Sequence, residues 1–279
     1  MPVEHVVIAG GGGVMGSGIA QVVAGAGFRV TIVEVDELAV ERGLARIARG
    51  LERRGDPAVR ERISSSTDLE SAGAGADHVI ETVAEVLALK EDVLRRLDAV
   101  CRDDVVFASN TSQFAISRLG AATQRPDRVI GSHRFNPPTA MGLIEVVRGV
   151  ATSDDTLALA LELAHRYGKE TVVCRKDTAG FITSRLIALF MVEAARIVEE
   201  GIADAEDVDR ACRLAFGHAM GPLSTADLSG IDVLEAVADN LARNFGDRFL
   251  PPQSVRALVN AGRLGRKSGH GFMEYDEAR

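Results

Sequence analysis

Val6-Val7-Ile8-Ala9-Gly10-Gly11-Gly12-Gly13-Val14-Met15-Gly16 is the stretch on which the fold turns. Three β-branched residues and an alanine predict a short buried strand. Four glycines end it, and Val14–Ala26 then carries apolar residues at helical spacing. One register of the turn fits G-x-G-x-x-G, namely Gly11, Gly13 and Gly16; starting at Gly10 puts Met15 in the third slot. In that pattern the first glycine permits the tight turn and the second lets a pyrophosphate approach the backbone. The third lets the helix pack against the strand. Phosphates then sit at the helix N-terminus, over Val14, Met15 and Gly16, where N–H groups and the helix dipole favour anions.

The same region is long enough to cross a bilayer, because no charged residue occurs from Val6 to Phe28. Its glycines, with Gly18, Gly25 and Gly27 added, mark a strand, a turn and a packed helix instead. A second strand, Val30-Thr31-Ile32-Val33, ends in Glu34, 18 residues after Gly16. An acid there accepts hydrogen bonds from a ribose diol and repels a 2′-phosphate, so the pattern predicts NAD rather than NADP.

Short apolar runs keep alternating with amphipathic helices. Strands are predicted at Val30–Glu34, His78–Thr82, Val105–Ala108, Val129–Ser132, Leu143–Val147 and Thr171–Cys174. Such alternation predicts an α/β fold, a Rossmann-like doubly wound parallel sheet with helices on both faces. After Thr178 the strand signals stop. Residues 180–201, 204–217, 230–245 and 253–262 read as helices, with a turn at Met220-Gly221-Pro222-Leu223. A final loop at Gly265, Gly269 and Gly271 lays Phe272 and Tyr275 down as an anchor. Residues 1–178 therefore form a cofactor domain and residues 179–279 an all-α domain. The length of 279 residues suits two domains at roughly 150 each. Lys and Arg number 32 against 40 acids, a net charge of −8, which argues against nucleic-acid and polybasic membrane partners. Cys101, Cys174 and Cys212 fit neither a disulfide framework nor a zinc pattern. They point to a reducing compartment. With no targeting segment ahead of the first strand, the cytoplasm is the expected location, and no metal is expected.

Candidate chemistry lies after the later strands, where doubly wound sheets bind ligands. Ser109-Asn110-Thr111-Ser112 follows Val105–Ala108, and its short polar side chains either touch a ligand or cap the next helix. His133 precedes a loop stiffened by Pro137 and Pro138. Glu145 lies within the apolar strand Leu143-Ile144-Glu145-Val146-Val147, where an acid is not buried alone. His133, across the turn, is its nearest candidate partner. A carboxylate on one imidazole nitrogen fixes the tautomer and stabilises the imidazolium. The other nitrogen then removes a hydroxyl proton, worth roughly 10²–10⁴-fold in rate.

These stretches together resemble the 3-hydroxyacyl-CoA dehydrogenase family, in its short, single-function 3-hydroxybutyryl-CoA dehydrogenase type. GGGVMGSGIAQ, ASNTS at 108–112, HRFNPPTAMGLIEV at 133–146, KDTAGFITSRL, HAMGPLSTADLSGID and GRLGRKSGHGFMEY carry the likeness in order to Tyr275. The resemblance implies reversible, NAD-dependent oxidation of a short-chain L-3-hydroxyacyl-CoA. His133 is then the general base, Glu145 its orienting acid, and Ser112 a hydrogen-bond partner of the reacting oxygen. Asn110 stands at the nicotinamide end, Glu85 and Lys90 contact NAD, and Asn136 is a substrate contact. The helical domain closes the acyl pocket and forms a homodimer.

Two departures stand out. The family motif D-x-P-G-F-x-x-N-R is Asp177-Thr178-Ala179-Gly180-Phe181-Ile182-Thr183-Ser184-Arg185 here, with Ser184 in the slot of a substrate-binding Asn. Arg134 replaces an aromatic or apolar residue and is expected to point to solvent; recognition of a polar acyl chain is the alternative. For the CoA phosphates, Arg42, Arg46, Arg49 and Arg53 recur along one helix face opposite Val40, Leu44, Ile47 and Leu51. Most of that face reads as solvated, and Arg49, Arg53 and Arg54 are the candidates for contact. Two other functions fit the same residues: a dehydrogenase of a free hydroxy acid such as carnitine or gulonate, and a non-catalytic NAD-binding sensor.

Overall fold

The computed structural model describes residues 3–275, so the outer ends of both expected domains, residues 1–2 and 276–279, lie outside the described residues. Two compact units divide the chain into Met1–Thr178 and Ala179–Arg279.

The first unit runs β1 (His5–Ala9), α1 (Val14–Gly25), β2 (Arg29–Val33), α2 (Glu37–Arg54), β3 (Ile63–Ser66) and α3 (Leu69–Ala74). It continues with β4 (His78–Glu81), α4 (Leu87–Val100), β5 (Val106–Ser109), α5 (Ile116–Gly120), β6 (Val129–Arg134), β7 (Leu143–Arg148), α6 (Asp154–Arg166) and β8 (Glu170–Cys174). The strands form one sheet in the order β3-β2-β1-β4-β5-β6-β7-β8. Only β6 and β7 pair antiparallel; the other neighbours are parallel. The expected all-parallel sheet is thus corrected at one joint. Residues 135–142 contain no crossover helix, and so short a link can only reverse the chain. β3 was not predicted, because Ile63-Ser64-Ser65-Ser66 is a partly exposed edge strand without an apolar alternation.

One face of the sheet carries Val6, Ile8, Val30, Ile32, Ile80, Ile130, Ile144 and Val146, packed with Ile19, Ala20 and Val23 of α1 and Leu163 and Ala164 of α6. Helix α1 is buried almost all round, from Gly16 to Gln21 and again at Val23 and Ala24. That burial explains the uncharged stretch after Val6. A helix of 12 residues cannot span a bilayer, and no helix among the described residues is long and apolar enough to cross a membrane.

The second unit contains α7 (Thr183–Glu199), α8 (Ala205–Phe216), α9 (Pro222–Ser229), α10 (Ile231–Phe245) and α11 (Gln253–Asn260). The stretch expected to be a turn at Met220–Leu223 is the start of α9, with Gly221 as N-cap and Pro222 in the first turn, where its missing N–H costs nothing. Asp209 of α8 accepts from the amides of Leu223 and Ser224, each at 2.8 Å. The last loop is anchored on buried Asp227, which accepts from the amides of Phe272 and Met273 and from Tyr275 Oη at 2.9–3.0 Å.

His78, at the start of β4, is 2% exposed. Burial, and then the charge of Arg134, pull its pKa from the ordinary value down to about 3. Between the two values the unfolded chain binds a proton that the native state refuses. The contribution is therefore intact above pH 6.5 and is lost as the pH falls toward 3. Urea unfolding of the parent and of His78→Leu should show the parent's advantage shrinking by about 2 kcal/mol from pH 7 to pH 5. A difference that stays flat would contradict this.

Candidate active site

The carboxyl ends of the parallel strands bring the glycine turn and the later polar residues to one edge of the sheet. Gly10, just after β1, takes φ +77°, and a Cβ there would lie 2.7 Å from the Thr82 carbonyl oxygen. The left-handed turn thus belongs to Gly10 rather than to Gly11. Gly11 must be glycine for space, since the Ile32 Cβ would lie 2.6 Å from its own. Gly16 seats α1 against the Gly10 carbonyl and the Gly11 Cα, as the motif requires. At Gly13 a Cβ would meet only the Gly10 oxygen, at 3.4 Å, so its outer face is open. Gly13 caps α1 without a side chain, which leaves the first-turn amides over Val14, Met15 and Gly16 without intrahelical acceptors.

The loop is held from behind. The Gly12 amide donates to Glu34 Oε1 at 2.7 Å, and Arg46 Nη1 donates to the Gly12 carbonyl. Arg46, read from the sequence as part of a solvated basic face, is half-buried as a clamp on the turn. Helical spacing could not single it out among four arginines.

His133 and Glu145 stand opposite one another in the antiparallel register of β6 and β7. His133 Nδ1 and Glu145 Oε2 are 2.9 Å apart, with the two residues 6% and 0% exposed. The Phe135 ring lies 4.6 Å from the imidazole. Adjacent strand residues face opposite sides of a sheet. Arg134 therefore turns away from this pair, and it is 7% exposed, which corrects the expectation of a solvent-facing side chain. Asn110 Oδ1 accepts from the Arg134 amide at 2.9 Å and ties the end of β5 to the end of β6.

The loop holding Asn110 and Ser112 rests on an ionic network. Fully buried Glu81 accepts from Lys90 Nζ at 2.8 Å, from Ser109 Oγ at 2.6 Å and from the Val83 amide at 2.8 Å. Lys90 also pairs with Glu85 Oε2 at 3.1 Å. Glu85 Oε1 in turn accepts from Thr111 Oγ1 at 2.6 Å and from the amides of Ser112 and Gln113 at 3.1 and 3.2 Å. Lys90, at 1% side-chain exposure, offers a ligand no surface, whereas Glu85 keeps 30%. Glu81 was missed in the sequence; an acid closing the apolar run His78-Val79-Ile80 was the available signal.

Arg49, Arg53 and Arg54 are exposed at the end of α2, and Asn136 is exposed in the loop after β6. Ser184 lies in the first turn of α7, in the second unit. Among the described residues no group of His, Cys, Asp or Glu could hold a metal ion. The three cysteines are free and buried.

Replacing Lys90 with Met leaves two carboxylates without their cation. Unfolding free energy should fall by about 3–5 kcal/mol in urea titrations. Arg95→Ala, which breaks only the exposed pair with Asp92, should stay within about 1 kcal/mol of the parent.

Comparison with known proteins bears on this site. Residues 5–178 match the family model for the 3-hydroxyacyl-CoA dehydrogenase NAD binding domain, and residues 180–275 match that for the C-terminal domain. The chain is 40% identical over 287 residues to a probable 3-hydroxybutyryl-CoA dehydrogenase of Bacillus subtilis, covering 99% of each chain. It is 40% identical over 277 residues to a 3-hydroxybutyryl-CoA dehydrogenase of Mycobacterium tuberculosis, covering 95% of this chain and 96% of that one. The crystal structure of (S)-3-hydroxybutyryl-CoA dehydrogenase from Ralstonia eutropha superposes with a TM-score of 0.94 at 37% identity, over 99% of this chain and 100% of that one.

Proposed function

The chain belongs to the 3-hydroxyacyl-CoA dehydrogenase family, and from that premise we propose that it oxidises an L-3-hydroxyacyl-CoA to the 3-ketoacyl-CoA with NAD, reversibly. The observation that carries the reading is the buried His133–Glu145 pair at the sheet edge that also holds the glycine turn. The relatives named for 3-hydroxybutyryl-CoA support a short acyl chain.

The turn fits the cofactor: Gly13 is open where a Cβ would intrude, and Glu34 keeps its second carboxylate oxygen unengaged among the described residues. The amides over Val14, Met15 and Gly16 would hold the pyrophosphate, Glu34 the adenosine ribose, and Glu85 and Asn110 the nicotinamide end. Lys90 positions Glu85 from behind. When bound, NAD supplies the acceptor for the hydride leaving carbon 3. Glu145 holds the Nδ1 side of the His133 ring, so the hydroxyl proton passes to Nε2. The carboxylate then stabilises the imidazolium. Ser112 Oγ donates to the oxygen as it becomes a carbonyl, a role that grows with charge on that oxygen.

Exposed Arg49, Arg53 and Arg54 would meet the CoA phosphates, and Asn136 and Ser184 the acyl portion. An acyl pocket and a dimer face both need apolar surface, and the second unit exposes Leu186, Leu214 and Phe216 by 65%, 80% and 66%. That surface supports a homodimer. Three free thiols support a cytoplasmic location.

Purified protein with acetoacetyl-CoA should consume NADH. His133→Gln should lower kcat by roughly 10²–10⁴-fold. Ser184→Asn should raise kcat/KM about 2- to 10-fold by restoring one hydrogen bond. Turnover of carnitine or gulonate with NAD, and none of acetoacetyl-CoA, would move the substrate to a free hydroxy acid. NAD binding with no turnover of any of them would make the protein a sensor.

A further inference from the structure

Asp177 opens the stretch Asp177-Thr178-Ala179-Gly180-Phe181 and takes no part in the proton transfer. Its carboxylate reaches back to the start of α5, where Oδ1 accepts from the Ile116 amide at 3.0 Å and Oδ2 from the Ser117 amide at 2.6 Å. These are first-turn donors that a helix cannot satisfy internally. Ala115, at the N-cap, has no side chain to do so. An acid 61 residues beyond Ile116 caps α5 instead. The loop between β5 and α5, which carries Ser112, is therefore held at both ends by a carboxylate. At its start Glu85 Oε1 takes the amides of Ser112 and Gln113 at 3.1 and 3.2 Å. Between the two acids, Thr111 Oγ1 accepts from the Phe114 amide at 3.0 Å. The far anchor is also packed against the strands of the dyad. Ile116 is 1% exposed, and a Cβ on Gly131, two residues before His133 in β6, would lie 2.9 Å from its Cδ1. Ser117 Oγ accepts from the Val150 amide, just beyond β7, at 2.8 Å.

A loop outside the sheet has no ladder to fix it, and one tied at a single end keeps conformational freedom that must be lost when it meets a ligand. For a donor aimed at a reacting oxygen that freedom is expensive, since a displacement of about 1 Å can cost roughly 10²-fold in rate. We propose that Asp177 is a positioning residue for Ser112. By capping α5 it fixes the far end of the Ser112 loop, as Glu85 fixes the near end, so that Ser112 Oγ is in place before the substrate arrives. The inference rests on the role given to Ser112 in the proposed reaction and adds the group that holds it there. The chain enters the second unit at Ala179, two residues after this tether. The loop that presents Ser112 is thus fastened to the segment that joins the two units.

Four forms of the full chain separate positioning from plain stability: the parent, Asp177→Asn, Ser112→Ala and the double variant. Asp177→Asn removes one of the two accepting oxygens and keeps the size of the side chain. It should lower kcat for acetoacetyl-CoA about 10-fold, with KM for NADH within about 2-fold of the parent. In Ser112→Ala, which has no donor left to position, the same change should cost less than about 2-fold. An unchanged kcat in Asp177→Asn, or equal losses in both backgrounds, overturns the proposal, because a merely structural role would act on either background alike. Amide hydrogen exchange supplies a readout that needs no turnover. Asp177→Asn should speed exchange about 10-fold at Ser112 and Gln113 as well as at Ile116 and Ser117, and leave β4 unchanged. Faster exchange confined to Ile116 and Ser117 overturns the proposal. A parent that turns over no substrate would refute the proposed activity instead, and exchange would still decide whether Asp177 holds the Ser112 loop.

Discussion

Glu145 has no exposed surface, and this condition governs how the second half of the sheet is put together. An isolated buried carboxylate costs several kcal/mol. It is tolerated here because β7 returns beside β6 in the register that sets it opposite His133. A slip of one residue would turn every side chain of β7 to the other face. Glu145 would then enter the layer that holds Ile130, Ile144 and Val146. The dyad and the strand register therefore stabilise each other. The same alternation sends Arg134 into the layer beneath α1 and α6, so one strand presents the His133 imidazole on one side and, on the other, a cation with no ion-pair partner among the described residues.

The amino-terminal half depends on how closely α1 can approach the turn that precedes it. Gly16 lies against the Gly10 carbonyl with no room for a side chain, and Gly11 leaves space only for the flank of Ile32. This packing aims the first-turn amides of α1 past the open face of Gly13. Glu34 and Arg46 grip the amide and the carbonyl of Gly12. A loop of four glycines has large conformational freedom to lose on folding, and these two side chains fix it before any ligand arrives.

Much of this was legible in the sequence, because periodicity and glycine spacing report on short-range geometry. The strand–turn–helix opening, the change at Thr178 and the pairing of Glu145 with His133 all follow from local patterns or from the cost of burying charge. What escaped depends on the partner across space. β3 has no apolar alternation because it is a partly exposed edge strand. Gly10 and Gly11 cannot be assigned their separate tasks until Ile32 and Thr82 are placed beside them. Arg134 looks like a surface residue in Ser132-His133-Arg134-Phe135 because nothing nearby in sequence predicts that its side of β6 is roofed. Glu81 and Lys90 are nine residues apart and meet only because α4 folds back over β4.

Net charge gains a different meaning from this geometry. At −8 the chain as a whole repels anions, yet NAD and acyl-CoA are both anionic. At distances beyond roughly 8–10 Å such a global field is screened by physiological salt. Groups of the opposite sign stand at contact range in the first unit: the first-turn amides of α1 have no intrahelical acceptors, and Arg49, Arg53 and Arg54 are exposed at the end of α2. A buried charge is screened far less than an exposed one. Arg134, at 7% exposure, is therefore screened less than the surface acids that outnumber it.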